Sequence, residues 1–210
     1  MKTIGRLHVI TDTVLQNRFT HRELAALAIR GGADTIQYRS KSASVRTLLE
    51  EAAAVRDVCR EHGVTFIVND RVDIALAVDA DGVHLGRSDM PVETARRLLG
   101  PDRIVGGTVR NGEHLREAER LGADYVGLGP VFETGSKRVD HEVLGLDLVR
   151  EVCRHARIPV IAIAGITIST AAAVMAAGVY GIAVIGAVAA ADHPADAAAD
   201  LVRCIGGGGG

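Results

Sequence analysis

Eight short apolar runs, hardly interrupted by polar residues, recur along the chain, and the segments between them have a different period. The runs are Leu7 to Thr11, Thr35 to Arg39, Thr65 to Val68, Gly82 to Leu85, Ile104 to Gly107, Tyr125 to Gly129, Val160 to Ala164 and Gly181 to Ile185. A strand with little polar alternation must be covered on both faces, which is the condition of a parallel sheet. The intervening segments carry apolar residues at three- and four-residue spacing, as helices do. They are Arg22 to Arg30, Val45 to His62, the short Arg71 to Val78, Val92 to Leu99, Glu113 to Leu121, Leu146 to His155, Thr170 to Ala177 and Ala195 to Cys204. Glycine stands where several helices must stop (Gly31-Gly32, Gly63, Gly122 and Gly178), and the phrases GGADTIQ, LGADYVG and AGVYGIA suggest one helix-to-strand joint used repeatedly. Eight strand–helix units at roughly 25 residues each predict an α/β protein, a single (β/α)8 TIM barrel over residues 1–205. Its rival, a doubly wound dinucleotide-binding sheet, would usually carry GxGxxG after the first strand, and LHVITDTV does not. The run Gly206 to Gly210 has no side chains to pack and is expected to be a flexible tail.

Composition narrows the function classes. With 48% hydrophobic residues in 210, disorder is excluded. A net charge of −2 gives no general drive toward nucleic acid or an anionic membrane, and 3% aromatics with no Trp leave no platform for stacking bases. The charge-free stretch Ala171 to Ala191 is long enough to resemble a membrane span, but Gly178 and Gly181 divide it into a helix-like and a strand-like half, so it reads as core. Cys59, Cys153 and Cys204 are few and odd in number, which suits reduced thiols in the cytoplasm, and Cys59 with His62 lacks the second pair a structural zinc site needs. Small phosphorylated molecules, with neither nucleic acid nor membrane, are the expected partners. The Ala-rich C-terminal third also offers apolar helix faces for a homo-oligomer.

In a barrel the active site forms on the loops after the strands. Those positions here are Asp12, Gln37 to Lys41, Asn69-Asp70, Asp89, Thr108 to Asn111, Glu133 to Lys137, Gly165 to Thr167 and Gly186, so one rim collects groups suited to an anion or a metal. Gln37, Arg39 and Lys41 share a parity and would point together as an anion clamp; a solvated basic loop is the plainer alternative. Asp70 and Asp89 follow consecutive strands. Each could cap a helix, but neighbouring strands lie about 5 Å apart, so the two carboxylates could instead share Mg²⁺, which is usually held by one or two carboxylates with phosphate oxygens and water. Thr134, Gly135, Ser136 and Lys137 suit a monophosphate without forming a Walker loop, and Gly165, Ile185 and Gly186 end the seventh and eighth strands, where barrels often hold phosphate on backbone N–H groups. His84 and His8 lie within strands and read as satisfied core histidines. No Ser–His–Asp arrangement stands out.

Read in order, ITD, QYRSK, VNDRVDIALAVDADGVHLGRSDMP, GADYVGLGPVFETGSK, IPVIAIAGIT and AGVYGIAVIGAV resemble the thiamine-phosphate synthase family from about Leu7 to Leu201. The resemblance implies a Mg²⁺-assisted transferase joining 4-amino-5-hydroxymethyl-2-methylpyrimidine diphosphate to a thiazole phosphate, plain or carboxylated, with release of pyrophosphate. It implies Asp70 and Asp89 as metal ligands. Gln37, Tyr38, Arg39, Ser40, Lys41, Asn69, Thr108 and Lys137 would bind the pyrimidine diphosphate, and Arg39, Lys41, Thr108 and Lys137 would act in catalysis. Thr134, Gly135, Ser136, Gly165, Ile185 and Gly186 would bind the thiazole phosphate. In the family the C–O bond is thought to break first, leaving a carbocation that the thiazole nitrogen captures, so no protein nucleophile is needed.

The chain departs from the family's usual pattern in carrying Thr108 for serine, Arg110 for histidine, Ala164 for the first of two glycines, Gly186 for serine and Tyr38 for leucine. SKSAS and VFET are similar to the thiazole tautomerases of the same fold, which need an acid–base histidine where Arg110 stands. A thiamine-phosphate-binding paralogue without turnover is the third alternative.

Overall fold

Each of the eight apolar runs becomes a buried strand. The computed structural model describes residues 3–134 and 142–206. Strands β1 (Leu7–Thr11), β2 (Thr35–Tyr38), β3 (Thr65–Asn69), β4 (Gly82–Leu85), β5 (Ile104–Val109), β6 (Tyr125–Leu128), β7 (Val160–Ile163) and β8 (Gly181–Val184) pair in sequence order. All pairs are parallel, and β8 closes on β1. The helices are α1 (His21–Arg30), α2 (Val45–His62), α3 (Val72–Ala77), α4 (Val92–Leu99), α5 (Gly112–Arg120), α6 (Gly145–His155), α7 (Ile168–Ala176), α8 (Gly186–Ala189) and α9 (Pro194–Gly206). The architecture is a single (β/α)8 barrel, as the periodicity predicts.

Local chemistry sets the element ends. Thr20 and Glu23 form a capping box at the start of α1, Ser44 caps α2 and Asn111 caps α5. Gly63, at φ 67°, ends α2 in the left-handed conformation that a Cβ disfavours. Two details differ from expectation. The four residues of α8 form a helical turn after β8 that Gly-Ala-Val-Ala is too short to announce by periodicity. Helix α9 takes in Gly206, the first residue of the expected tail, and 207–210 lie outside the described residues.

Two apolar layers result. One lies between strands and helices; the other fills the barrel interior with Ile10, Ile67, Ile104, Tyr125, Ile161 and Ala183. Packing is tight enough there that a Cβ on Gly106 would overlap the Tyr125 ring. Among the described residues no helix is long and apolar enough to cross a membrane.

The repeated joint has a defined job at the strand starts. Asp34, just before β2, accepts the backbone N–H groups of Arg6 and Leu7, both at 2.9 Å. Asp81 accepts Phe66 N–H at 2.9 Å, and Asp124 accepts Val105 N–H at 2.7 Å. Each aspartate thus binds the strand before its own and fixes the barrel's lower rim, opposite the loops that form the site.

Candidate active site

The loops after β2 to β8, with Ile10 of β1, line one cavity of about 1060 Å³ at the C-terminal end of the barrel. Gln37, Arg39, Lys41, Asn69, Asp70, Asp89, Thr108, Thr134, Gly165, Ile185 and Gly186 all line it. Gly135, Ser136 and Lys137 lie outside the described residues.

Strand alternation decides the β2 segment. Gln37 and Arg39 face the cavity, and Lys41 beyond the strand reaches it too. Tyr38, assigned to the pyrimidine diphosphate by resemblance, has the opposite parity. Its side chain lies between barrel and helices, where its hydroxyl donates to Glu51 at 2.6 Å and its ring meets His21 edge-on. Burial, reinforced by the Glu51 carboxylate, raises its pKa. Ser40 shares that parity and does not line the cavity. Arg39 is held by an ion pair with Asp12, which is 2% exposed and also accepts Val14 N–H at 2.8 Å.

Neither Asp70 nor Asp89 caps a helix. Helices α3 and α4 have Arg71 and Pro91 at their N-caps, with no side-chain cap bond. Asp70 instead adopts φ 63°, and its N–H donates to His84 O at 2.8 Å, which turns it toward β4. Asp89 accepts Gly86 N–H at 2.8 Å, and a Cβ on Gly86 would stand 2.6 Å from that carboxyl oxygen. The two carboxyl groups thereby come close enough to influence each other's ionisation, while Lys41 forms an ion pair with Asp70. Burial works to raise Asp70, but Asp89 and the Lys41 ammonium outweigh it and hold Asp70 below the ordinary carboxylate value. Burial, then the neighbouring Asp70 carboxylate, hold Asp89 above it. Two carboxylates this close repel each other when both are ionised, and a cation between them relieves that repulsion. No group of three or more His, Cys, Asp or Glu residues among the described ones could form an all-protein metal cage. The two hard carboxylate donors of Asp70 and Asp89 suit an ion such as Mg²⁺ that keeps most of its coordination for water and phosphate.

Sequence reasoning undervalued three lining residues: His84, Arg87 and Arg110. His84 is inside the barrel, as expected, but it reaches the cavity floor, with Nε2 3.0 Å from Thr108 Oγ1. Its parity with Gly82 and Gly86 was the available signal. Arg87 and Arg110 add cations to the rim, and Arg110 donates to Glu142 O at 3.1 Å. Between β7 and α7, Ala164 and Gly165 have φ of 76° and 69°. A Cβ on Gly165 would lie 2.6 Å from Phe132 Cβ, so only glycine lets the two loops approach this closely.

A family model for thiamine monophosphate synthase matches residues 7–188. The chain belongs to the thiamine-phosphate synthase family. It is 48% identical over 206 residues to a thiamine-phosphate synthase of Salinibacter ruber, covering 98% of this chain and 91% of that protein. It is 50% identical over 196 residues to one from Chloroflexus aurantiacus, covering 93% and 90%. Among solved structures it is similar to thiamine phosphate pyrophosphorylase from Pyrococcus furiosus. That match has a TM-score of 0.88 and 43% identity over 96% of this chain and 95% of that one. The chain is therefore an enzyme of the thiamine-phosphate synthase type.

Proposed function

We propose that the chain joins 4-amino-5-hydroxymethyl-2-methylpyrimidine diphosphate to a thiazole phosphate, giving thiamine phosphate and pyrophosphate. The observation that carries this reading is the closeness of the Asp70 and Asp89 carboxyl groups on a rim that also holds Arg39 and Lys41. Such a rim matches a leaving group whose negative charge grows as it departs.

In this reading Asp70 and Asp89 hold Mg²⁺, which when bound neutralises charge on the diphosphate and so eases its departure. Gln37, Asn69 and Thr108 orient the pyrimidine diphosphate, and Arg39, Lys41 and Lys137 bind its oxygens. Thr134, Gly135, Ser136, Gly165, Ile185 and Gly186 place the thiazole phosphate across the cavity. The C–O bond breaks with both electrons leaving on pyrophosphate, and the thiazole nitrogen lone pair forms the new C–N bond. The protein's work is then positioning and charge stabilisation, and no residue need act as a nucleophile. A sparse, odd set of three cysteines fits a cytoplasmic setting.

The test is incubation of the purified chain with both substrates and Mg²⁺, following both products. Equal amounts of thiamine phosphate and pyrophosphate are expected. Binding without turnover, or isomerisation of a carboxythiazole phosphate with no pyrimidine substrate present, would overturn the reading in favour of a paralogue or a tautomerase.

A further inference from the structure

Beneath the cavity floor a polar relay runs through the barrel lumen. Tyr125, at the start of β6, is 1% exposed, and its hydroxyl lies 3.0 Å from His84 Nδ1 on β4. The other ring nitrogen, Nε2, lies 3.0 Å from the hydroxyl of Thr108 on β5, and both His84 and Thr108 line the cavity. Side-chain volume has been removed around the relay to admit it. A Cβ on Gly106 would overlap the Tyr125 ring, and one on Gly127 would sit 2.9 Å from His84 Cε1. His8 supports Tyr125 from below, with ring centroids 5.4 Å apart and its own Nε2 3.0 Å from Gly5 O.

The direction of the relay follows from the chemistry of its ends. A phenol gives its proton more readily than it accepts one, and burial keeps the Tyr125 hydroxyl protonated. With Tyr125 donating to Nδ1, neutral His84 carries its proton on Nε2 and donates it to Thr108 Oγ1. The Thr108 proton then remains for the cavity side. In the opposite polarity Thr108 would give its proton to His84 and present only lone pairs to an incoming anion.

We propose that Tyr125 is a positioning residue that holds His84 as the Nε2–H tautomer and thereby commits the Thr108 hydroxyl as a donor to a phosphate oxygen in the cavity. This rests on the reading of the cavity as the site of the diphosphate substrate. The relay explains why a bulky phenol and two glycines occupy the lumen, where apolar packing alone would be served by aliphatic side chains.

The test combines a spectroscopic and a kinetic measurement. In the ¹⁵N-histidine-labelled wild-type chain at pH 8, with His84 assigned through His84→Gln, Nε2 is expected to be protonated and Nδ1 not. Tyr125→Phe is expected to redistribute the tautomers. It should also lower kcat about tenfold to a hundredfold, the range for losing one hydrogen bond to a charged group, with KM for the thiazole phosphate unchanged. On a Thr108→Val background the same Tyr125→Phe change should cost less than about twofold, because the hydroxyl through which it acts is gone. A wild-type proton on Nδ1, or an equal loss with and without the Thr108 hydroxyl, overturns the proposal, and the wild-type spectrum requires no variant to fold. If the wild-type chain forms no thiamine phosphate, the assigned reaction fails by itself. The His84 tautomer, with its response to Tyr125→Phe, still decides the relay.

Discussion

Asp70 and Asp89 leave the barrel after different strands, yet their carboxyl groups meet at the cavity mouth. Asp70 is turned there by its left-handed backbone and its N–H bond to His84 O, and Asp89 is anchored by the Gly86 N–H. Neither residue is engaged in capping a helix, so both remain available to a cation. Substituting Asp89 by Ala should lower kcat about a hundredfold or more while the fold persists. That loss corresponds to about 3 kcal/mol of transition-state stabilisation through the metal. Turnover within a few-fold of wild type under saturating Mg²⁺ would remove Asp89 from the metal site.

Asp34 binds two backbone N–H groups of the neighbouring strand at once. Asp34→Ala should therefore destabilise the fold by about 1–3 kcal/mol, and Asp34→Asn, which keeps one acceptor oxygen, by less. Denaturant unfolding measures both. Equal stability of wild type and the Ala variant would show that these bonds contribute nothing net.

His8 couples stability to pH. Burial pushes its pKa down to about 3, against the raising effect of its bond to Gly5 O. Below pH 6.5 the unfolded chain takes up a proton there that the folded chain refuses, so stability falls as pH falls through the window from 6.5 toward 3. At pH 5 this one group should cost about 2 kcal/mol relative to neutral pH. A His8→Gln variant should lose less stability than wild type between pH 7.5 and pH 5. Parallel pH profiles would count against a buried neutral His8.

Ala164 holds φ 76°, where an L side chain is strained by about 1–2 kcal/mol. Ala164→Gly relieves that strain but loosens the unfolded chain, leaving a net gain of about 0.5–1 kcal/mol, or about 2 °C in Tm. Calorimetry that finds the Gly variant no more stable would place the strain elsewhere.

The strands were legible because burial on both faces leaves a continuous apolar run, and strand order alone brought Asp70 beside Asp89. The same alternation that placed Gln37 and Arg39 inside should have excluded Tyr38 and Ser40, whose side chains point the other way. A linear motif hides that parity. His84 was read as a core residue because its partners, Thr108 and Tyr125, lie 24 and 41 residues away and only the pairing of β4, β5 and β6 brings them together. The Ala-Asp joints were visible as a repeat, but their function was not, since each aspartate serves a different strand from the one it precedes. Helix α8 is too short to show a period.

The most direct measurement is calorimetric titration of pyrophosphate into the wild-type chain with and without Mg²⁺, repeated with the Asp70→Asn/Asp89→Asn double variant. Binding is expected to require both the ion and the carboxyl pair, falling at least tenfold when either is removed. Affinity that is the same without Mg²⁺, or unchanged in the double variant, would contradict a cation shared between Asp70 and Asp89.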